Sequence, residues 1–110
     1  MRVIALGDRI MTRKLGASLS KEGIEVVSMI TLPKRKRFDL AVVDSSVAGA
    51  EAACRYIKQV WGIPVVLVVR RKQTDWERLQ ALDTDAYIPE DVSSAELIAR
   101  LRAVVRRYSQ

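Results

Sequence analysis

At 110 residues the chain has room for one domain around a single core, and no second domain fits. Apolar residues make up 49% and charged residues 29%, a balance that belongs to folded chains and excludes low-hydrophobicity disorder. The net charge of +6 permits an acidic partner without specifying one, while the lack of histidine removes the usual general base, the commonest metal ligand and any Ser-His or Cys-His nucleophile pair.

Short apolar runs alternate with helical patterns along the chain. Val3 to Leu6 suits a strand buried on both faces. After Asp8, which can cap a helix start, Met11, Leu15, Ser18 and Leu19 fall on one face until Gly23, a residue suited to the position past a helix end. Ile24 to Ile30 reads as the second strand. Only nine residues, Thr31 to Asp39, then precede the next strand, too few for a crossover with a full helix, so this segment is expected as a loop or single turn. The third strand, Leu40 to Val43, leads into Asp44.

A second helix is expected from about Ala48, with Ala53, Tyr56, Ile57 and Val60 inward, ending at Gly62 before Pro64. Cys54, on that helix, is the single cysteine; it cannot form an internal disulfide and reads as a small residue on a helix face. Val65 to Val69 is the fourth strand. It is also the longest aliphatic run, far below the roughly 20 residues that cross a bilayer. With no signal-peptide pattern at the N-terminus, a cytoplasmic location without membrane contact is expected. Thr74-Asp75-Trp76-Glu77 opens a third helix as a capping box, with Trp76, Leu79 and Leu82 inward. Ala86 to Ile88 gives the fifth strand. Ser93-Ser94-Ala95-Glu96 caps a last helix that carries Leu97, Ile98, Leu101, Val104, Val105 and Tyr108 along one face.

Strand and helix alternating in this way give an α/β fold, a parallel sheet with helices on both faces. "GIEVV", "FDLAVVD", "GIPVVLVV", "DTDAYIP" and "SSAELIARLRAVVRR" occur in an order that resembles the receiver domain of bacterial response regulators over nearly the whole chain. The last stretch is similar to the final helix of receivers that precede winged-helix DNA-binding domains. The resemblance implies a flavodoxin-like, doubly wound sheet of five strands in order 2-1-3-4-5 over residues 1–110, here with the second crossover helix shortened or missing. It also implies a role in two-component signal transduction or transcription control.

In that family an aspartate closing the third strand accepts a phosphoryl group, and two acidic residues after the first strand help it hold Mg²⁺. Asp44 matches the acceptor and Asp8 the second acid, but Gly7 stands in place of the first. Val69 replaces the hydroxyl residue that ends the fourth strand, and a methyl group donates no hydrogen bond. Glu90, after Pro89, falls where the resemblance implies a lysine. An anion there opposes phosphoryl transfer, which depends on positioning and charge neutralisation.

The residues therefore read as a pseudo-receiver: not an enzyme, with no cofactor, and with Asp8 and Asp44 as weak Mg²⁺ candidates only if Asp44 is still phosphorylated, which is the alternative reading. Arg70 is expected to pair with Asp44 or Glu90 and fix one conformation. The resemblance further implies contact with a protein partner or a homodimer through Trp76, Arg78, Tyr87, Glu96, Arg100, Arg102 and Arg107, against Asp75, Asp83 and Asp85 of the mate. A C-terminal DNA-binding output domain in a longer chain is also expected. "PKRKR" at Pro33 to Arg37 raises direct nucleic-acid binding as a second alternative, disfavoured by the 5% aromatic content and the lack of any helix-turn-helix or zinc pattern. "LGDRIMTRKLG" lacks the glycine spacing of a dinucleotide site.

Overall fold

Strand formation here follows from unbroken apolar runs, which only a sheet covered on both faces can bury. The computed structural model of the chain describes residues 1–7, 9–29, 38–70 and 84–108. Its elements are β1 (Arg2–Leu6), α1 (Arg9–Ser20), β2 (Glu25–Met29), β3 (Leu40–Asp44), α2 (Ala50–Tyr56), β4 (Val65–Val69), β5 (Ala86–Pro89) and α3 (Ser94–Tyr108). All strand pairs are parallel, in the order β2-β1-β3-β4-β5. This is the flavodoxin-like order expected from the sequence.

The period-2 alternation of the strands divides the core into two layers. Val3 and Ala5, Leu40 and Val42, Val66 and Val68, and Ile88 face α1 and α3, where Leu15, Leu19, Leu101 and Val104 cover them. Ile4, Leu6, Ala41, Val43, Val65, Leu67 and Val69 face α2.

The chain leaves α1 through a closed turn. Gly23 donates to the Ser20 carbonyl at 3.1 Å and Ile24 to the Leu19 carbonyl at 3.1 Å, the paired bonds of a Schellman end, with Gly23 at φ 74°. Ile24 and Leu19 are both buried, which supplies the apolar contact that accompanies such an end. The strand therefore begins at Glu25, one residue later than expected. At α3 the Ser93 hydroxyl accepts from the Glu96 amide at 3.2 Å, one half of the expected capping box. The Glu96 carboxylate turns instead to Arg100, at 2.7 Å.

The second helix departs from expectation. It begins at Ala50 and passes at Ile57 into a π turn that runs to Trp61, where the Gly62 amide reaches back to the Ile57 carbonyl at 3.0 Å. The buried stripe is Ala50, Cys54, Ile57 and Trp61, whereas Tyr56 and Val60, expected inward, stand outside at 43% and 45% exposure. Trp61 decides this: burying the large indole, stacked 5.9 Å from the Phe38 ring, outweighs burying Val60. Residues 30–37, with most of the expected loop and "PKRKR", and residues 71–83, with the expected helix that opens at Thr74, lie outside the described residues.

Candidate functional site

Three strands each project one side chain past the last residue of the α1/α3 core layer. On β3 Asp44 follows Val42 by two positions, after β4 Arg70 follows Val68 by two, and after β5 Glu90 follows Ile88 by two. The pairing of Val69 with Pro89 sets Arg70 beside Glu90 at the C-terminal edge of the sheet, while Asp44 pairs with Val68, one same-face step below, within reach of the long arginine side chain. Strand alternation thus aims them into one space, with Arg70 on the middle strand. Ligand sites of open α/β sheets occupy this edge.

The guanidinium fills that space. Arg70 Nε lies 3.1 Å from Asp44 Oδ1 and 3.1 Å from Oδ2, Nη2 also donates to Oδ2, and Nη1 donates to Glu90 Oε2 at 3.1 Å. The Ser46 amide and hydroxyl donate to Asp44 Oδ1 at 2.9 and 2.8 Å. A carboxylate offers about four acceptor positions, and four donors occupy them. Asp44 is wholly buried, while the Arg70 side chain keeps 28% exposure. Burial pushes the Asp44 carboxyl up, but the Arg70 and Ser46 hydrogen bonds and the Arg70 charge outweigh it and hold the group below its usual value.

The sequence expectation named Asp44, Arg70 and Glu90, and the structure brings these three together. Val69 is buried among the α2-side residues, and Gly7 follows β1 without a carboxylate to offer. Asp8 lies outside the described residues. So do Trp76 and Arg78 of the expected dimer surface, and Asp75 and Asp83 opposite them. Among the described residues no group of three metal-ligating side chains converges. The cleft next to Glu90, lined by Lys14, Leu15, Val68, Ile88 and Leu97 among others, has a volume of about 50 Å³ and a mostly apolar wall.

Two residues of the expected dimer surface require correction. Arg102 turns away from β5: its Nη2 meets Glu22 Oε2, beyond α1, at 3.4 Å, because it stands 200° around α3 from Arg100. Arg100 does reach β5, donating to the Tyr87 carbonyl at 3.4 Å. Asp85 is no free acid for a mate. It accepts from Lys58 Nζ at 3.0 and 3.2 Å and from the Val65 amide at 2.7 Å, tying the π turn after α2 to the start of β4. Lys58 also donates to the Tyr108 hydroxyl and lies 4.9 Å from the centre of its ring. Burial lowers the Lys58 pKa, but Tyr108 and Asp85 outweigh this and hold it above its usual value. Sequence reading missed this cluster, whose members are 27 and 50 residues apart and share no local pattern.

No protein-family profile matches the chain. Among curated proteins it is similar to the heme response regulator HssR of Staphylococcus aureus strain JH9, 30% identical over 107 residues, which are 94% of this chain and 46% of that protein. The chain thus spans less than half the length of that relative. Among solved structures it is similar to the BeF3-activated N-terminal receiver domain of Klebsiella pneumoniae RstA, at 25% identity and TM-score 0.79, covering 96% of this chain and 97% of that one. A response regulator from Thermotoga maritima shares the fold, at 17% identity and TM-score 0.80, covering 96% and 97%.

The strand order and the aspartate closing β3 define the class, a doubly wound flavodoxin-like domain with its site at the C-terminal edge of the sheet. Within that class its structural neighbours are response regulator receiver domains, and the curated relative it matches is a response regulator.

Proposed function

We propose that this receiver domain works with its acceptor pocket closed by an internal cation: a pseudo-receiver that takes no phosphoryl group, catalyses no reaction, needs no Mg²⁺ and acts by contact with a protein partner. The observation that carries the reading is the occupancy of Asp44, whose buried carboxylate accepts four donors from Arg70 and Ser46. A nucleophile so engaged would have to shed Arg70 before attacking phosphorus. The carboxylate of Glu90 would repel the incoming phosphoryl oxygens as well. The similarity to response regulators supports a place in two-component signalling or transcriptional control inside the cell, and the greater length of those relatives supports an output domain beyond the receiver.

The test is an amide-shift titration of the chain with Mg²⁺ and then beryllofluoride, a phosphoryl mimic. No saturable shift at Asp44 or Ser46 is expected. Saturable shifts spreading from Asp44 through β4 and β5 would replace this reading with that of a phosphorylatable receiver whose Arg70 swings aside.

Homodimerisation through the outer side of β5 and α3 is part of the same proposal, with Glu96, Arg100 and Arg107 on that flank of α3 and Tyr87 on the α2-side face of the edge strand β5. Since Lys58 engages Asp85, the charge pairing with a mate falls to Asp75 and Asp83. Sedimentation at high protein concentration tests it, and a strict monomer would remove it.

A further inference from the structure

The whole net charge of the chain sits on one layer. α1 carries Arg9, Arg13 and Lys14 with no acid, and α3 carries Arg100, Arg102, Arg106 and Arg107 against Glu96. These helices hold seven of the nineteen basic residues and one of the thirteen acidic ones, an excess of six; the twelve basic and twelve acidic residues left over balance. Both helices pack on the same face of the sheet, through Leu15, Leu19, Leu101 and Val104, and the Ser18 and Ser94 hydroxyls meet at 2.9 Å between them.

Helical spacing sets the direction of the charges. Lys14 and Lys21 fall on the side of α1 marked by Ser18, which touches α3. Arg106 is one turn along α3 from Arg102, whose ion pair with Glu22 shows that this flank faces α1. Lys14, Lys21 and Arg106, with Arg13 beside them, are exposed and make no ion pair among the described residues. Of the acids nearby, Glu22 is matched by Arg102, and Glu90, which lines the same cleft as Lys14, is matched by Arg70. A cationic seam therefore runs between the helices, on the opposite flank of α3 from the proposed dimer face.

We infer that this α1–α3 seam docks on the phosphate backbone of duplex nucleic acid, without reading sequence. A second copy would set cations against cations. A bilayer or a protein partner would need an apolar anchor; of the large apolar side chains exposed among the described residues only Tyr108 belongs to this layer, where Lys58 holds it, and the apolar cleft beside Lys14 measures only about 50 Å³. A single-strand platform would need stacking aromatics, which the seam lacks. An extended polyanion meets the remaining requirement, and guanidinium groups suit phosphate oxygens. α3, at 15 residues, is ~22 Å long, about six base-pair steps of ~3.4 Å. Contacts to phosphates position a protein on the duplex but carry no base readout. This inference is independent of the closed Asp44 pocket.

The test is fluorescence anisotropy of a labelled random duplex of about 20 base pairs against the 110-residue chain, from about 25 to 150 mM NaCl. Saturable binding is expected, with log K falling against log salt at a slope of about −4, as for four or five neutralised phosphates. The triple variant Lys14→Glu, Lys21→Glu, Arg106→Glu, checked for folding by circular dichroism, should bind at least about tenfold more weakly and with a shallower slope. Arg55→Glu, at an exposed position of α2 across the sheet, should change binding less than about twofold. No binding at the lowest salt would overturn the inference, as would equal losses per charge in the two variants or tighter binding to anionic lipid vesicles than to the duplex. Binding lost on neutralising Lys34 to Arg37 but not in the triple variant would overturn it in favour of that segment.

Discussion

Arg70 Nε is equidistant, at 3.1 Å, from the two carboxylate oxygens of Asp44, and Asp44 has no exposed surface. The pair is asymmetric: the anion is sealed while part of the cation stays wet. Removing either partner should therefore have unequal consequences. Arg70→Met strands a buried charge and should destabilise the fold by about 3 kcal/mol at neutral pH, the low end for breaking a buried pair. Asp44→Asn leaves Arg70 with Glu90 and water, and should cost about 1 kcal/mol. Urea denaturation of both variants measures the difference, and equal losses would contradict the asymmetry.

The same geometry fixes a pH dependence. In the native chain the Asp44 pKa is depressed, so its contribution is present above the unfolded carboxylate pKa and is lost as pH falls through the lower folded value. Without Arg70, its hydrogen bonds and its charge no longer oppose burial, and only the Ser46 hydrogen bonds still hold the carboxyl down, so the folded pKa should rise. The folded variant then takes up a proton more readily than the folded native chain. Its stability deficit relative to the native chain should narrow as pH falls from 7 toward about 4, and a deficit that stays constant over that range would show that Asp44 does not sense Arg70.

Glu90 tests the outer arm of the bridge. Its side chain is 30% exposed and meets a partly exposed Arg70, so Glu90→Gln should cost no more than about 1 kcal/mol alone. A double-mutant cycle with Arg70→Met should return a coupling energy below that of the Asp44–Arg70 cycle. A larger Glu90 coupling would mean that the bridge is anchored on β5 rather than β3.

How far the sequence exposes this site depends on which interactions are local. The five apolar runs and the residues closing them place Asp44, Val69 and Glu90 on neighbouring strand ends, and the two-residue step beyond Val42, Val68 and Ile88 aims Asp44, Arg70 and Glu90 to one side. Ser46 belongs to the same legible class, since a serine two residues after an aspartate often donates back to it in a turn. The helix faces were less legible. Ala53, Tyr56, Ile57 and Val60 and the observed stripe Ala50, Cys54, Ile57 and Trp61 both satisfy helical spacing, and only packing against Phe38 selects between them. Asp85 looked like a free surface acid because nothing near it in sequence announces Lys58 or the Val65 amide.

The Lys58 cluster predicts a second, alkaline dependence. The folded Lys58 pKa is raised, so its stabilisation is complete below the unfolded lysine pKa and is lost as pH rises through the folded value. Asp85→Ala removes the Lys58 partner and leaves the Val65 amide unsatisfied in a mostly buried place, for a cost of about 2–3 kcal/mol. Thermal denaturation in mildly alkaline buffer, where Lys58 is still charged, should show the loss. An Asp85→Ala variant as stable as the native chain would mean that the cluster merely decorates the sheet edge.

The last prediction concerns repair of the acceptor pocket. Gly7→Asp, Val69→Thr and Glu90→Lys would return the residue types that the receiver family uses around its acceptor, yet Arg70 would still occupy the Asp44 oxygens. The new lysine would approach a carboxylate already neutralised, and beryllofluoride would meet no free acceptor atom. The triple variant should therefore stay silent to Mg²⁺ and beryllofluoride, and only the quadruple variant with Arg70→Ala should show saturable amide shifts at Asp44. Tight beryllofluoride binding by the triple variant alone would mean that Arg70 yields to a competing cation, and the closed pocket would then be a resting state rather than a lock.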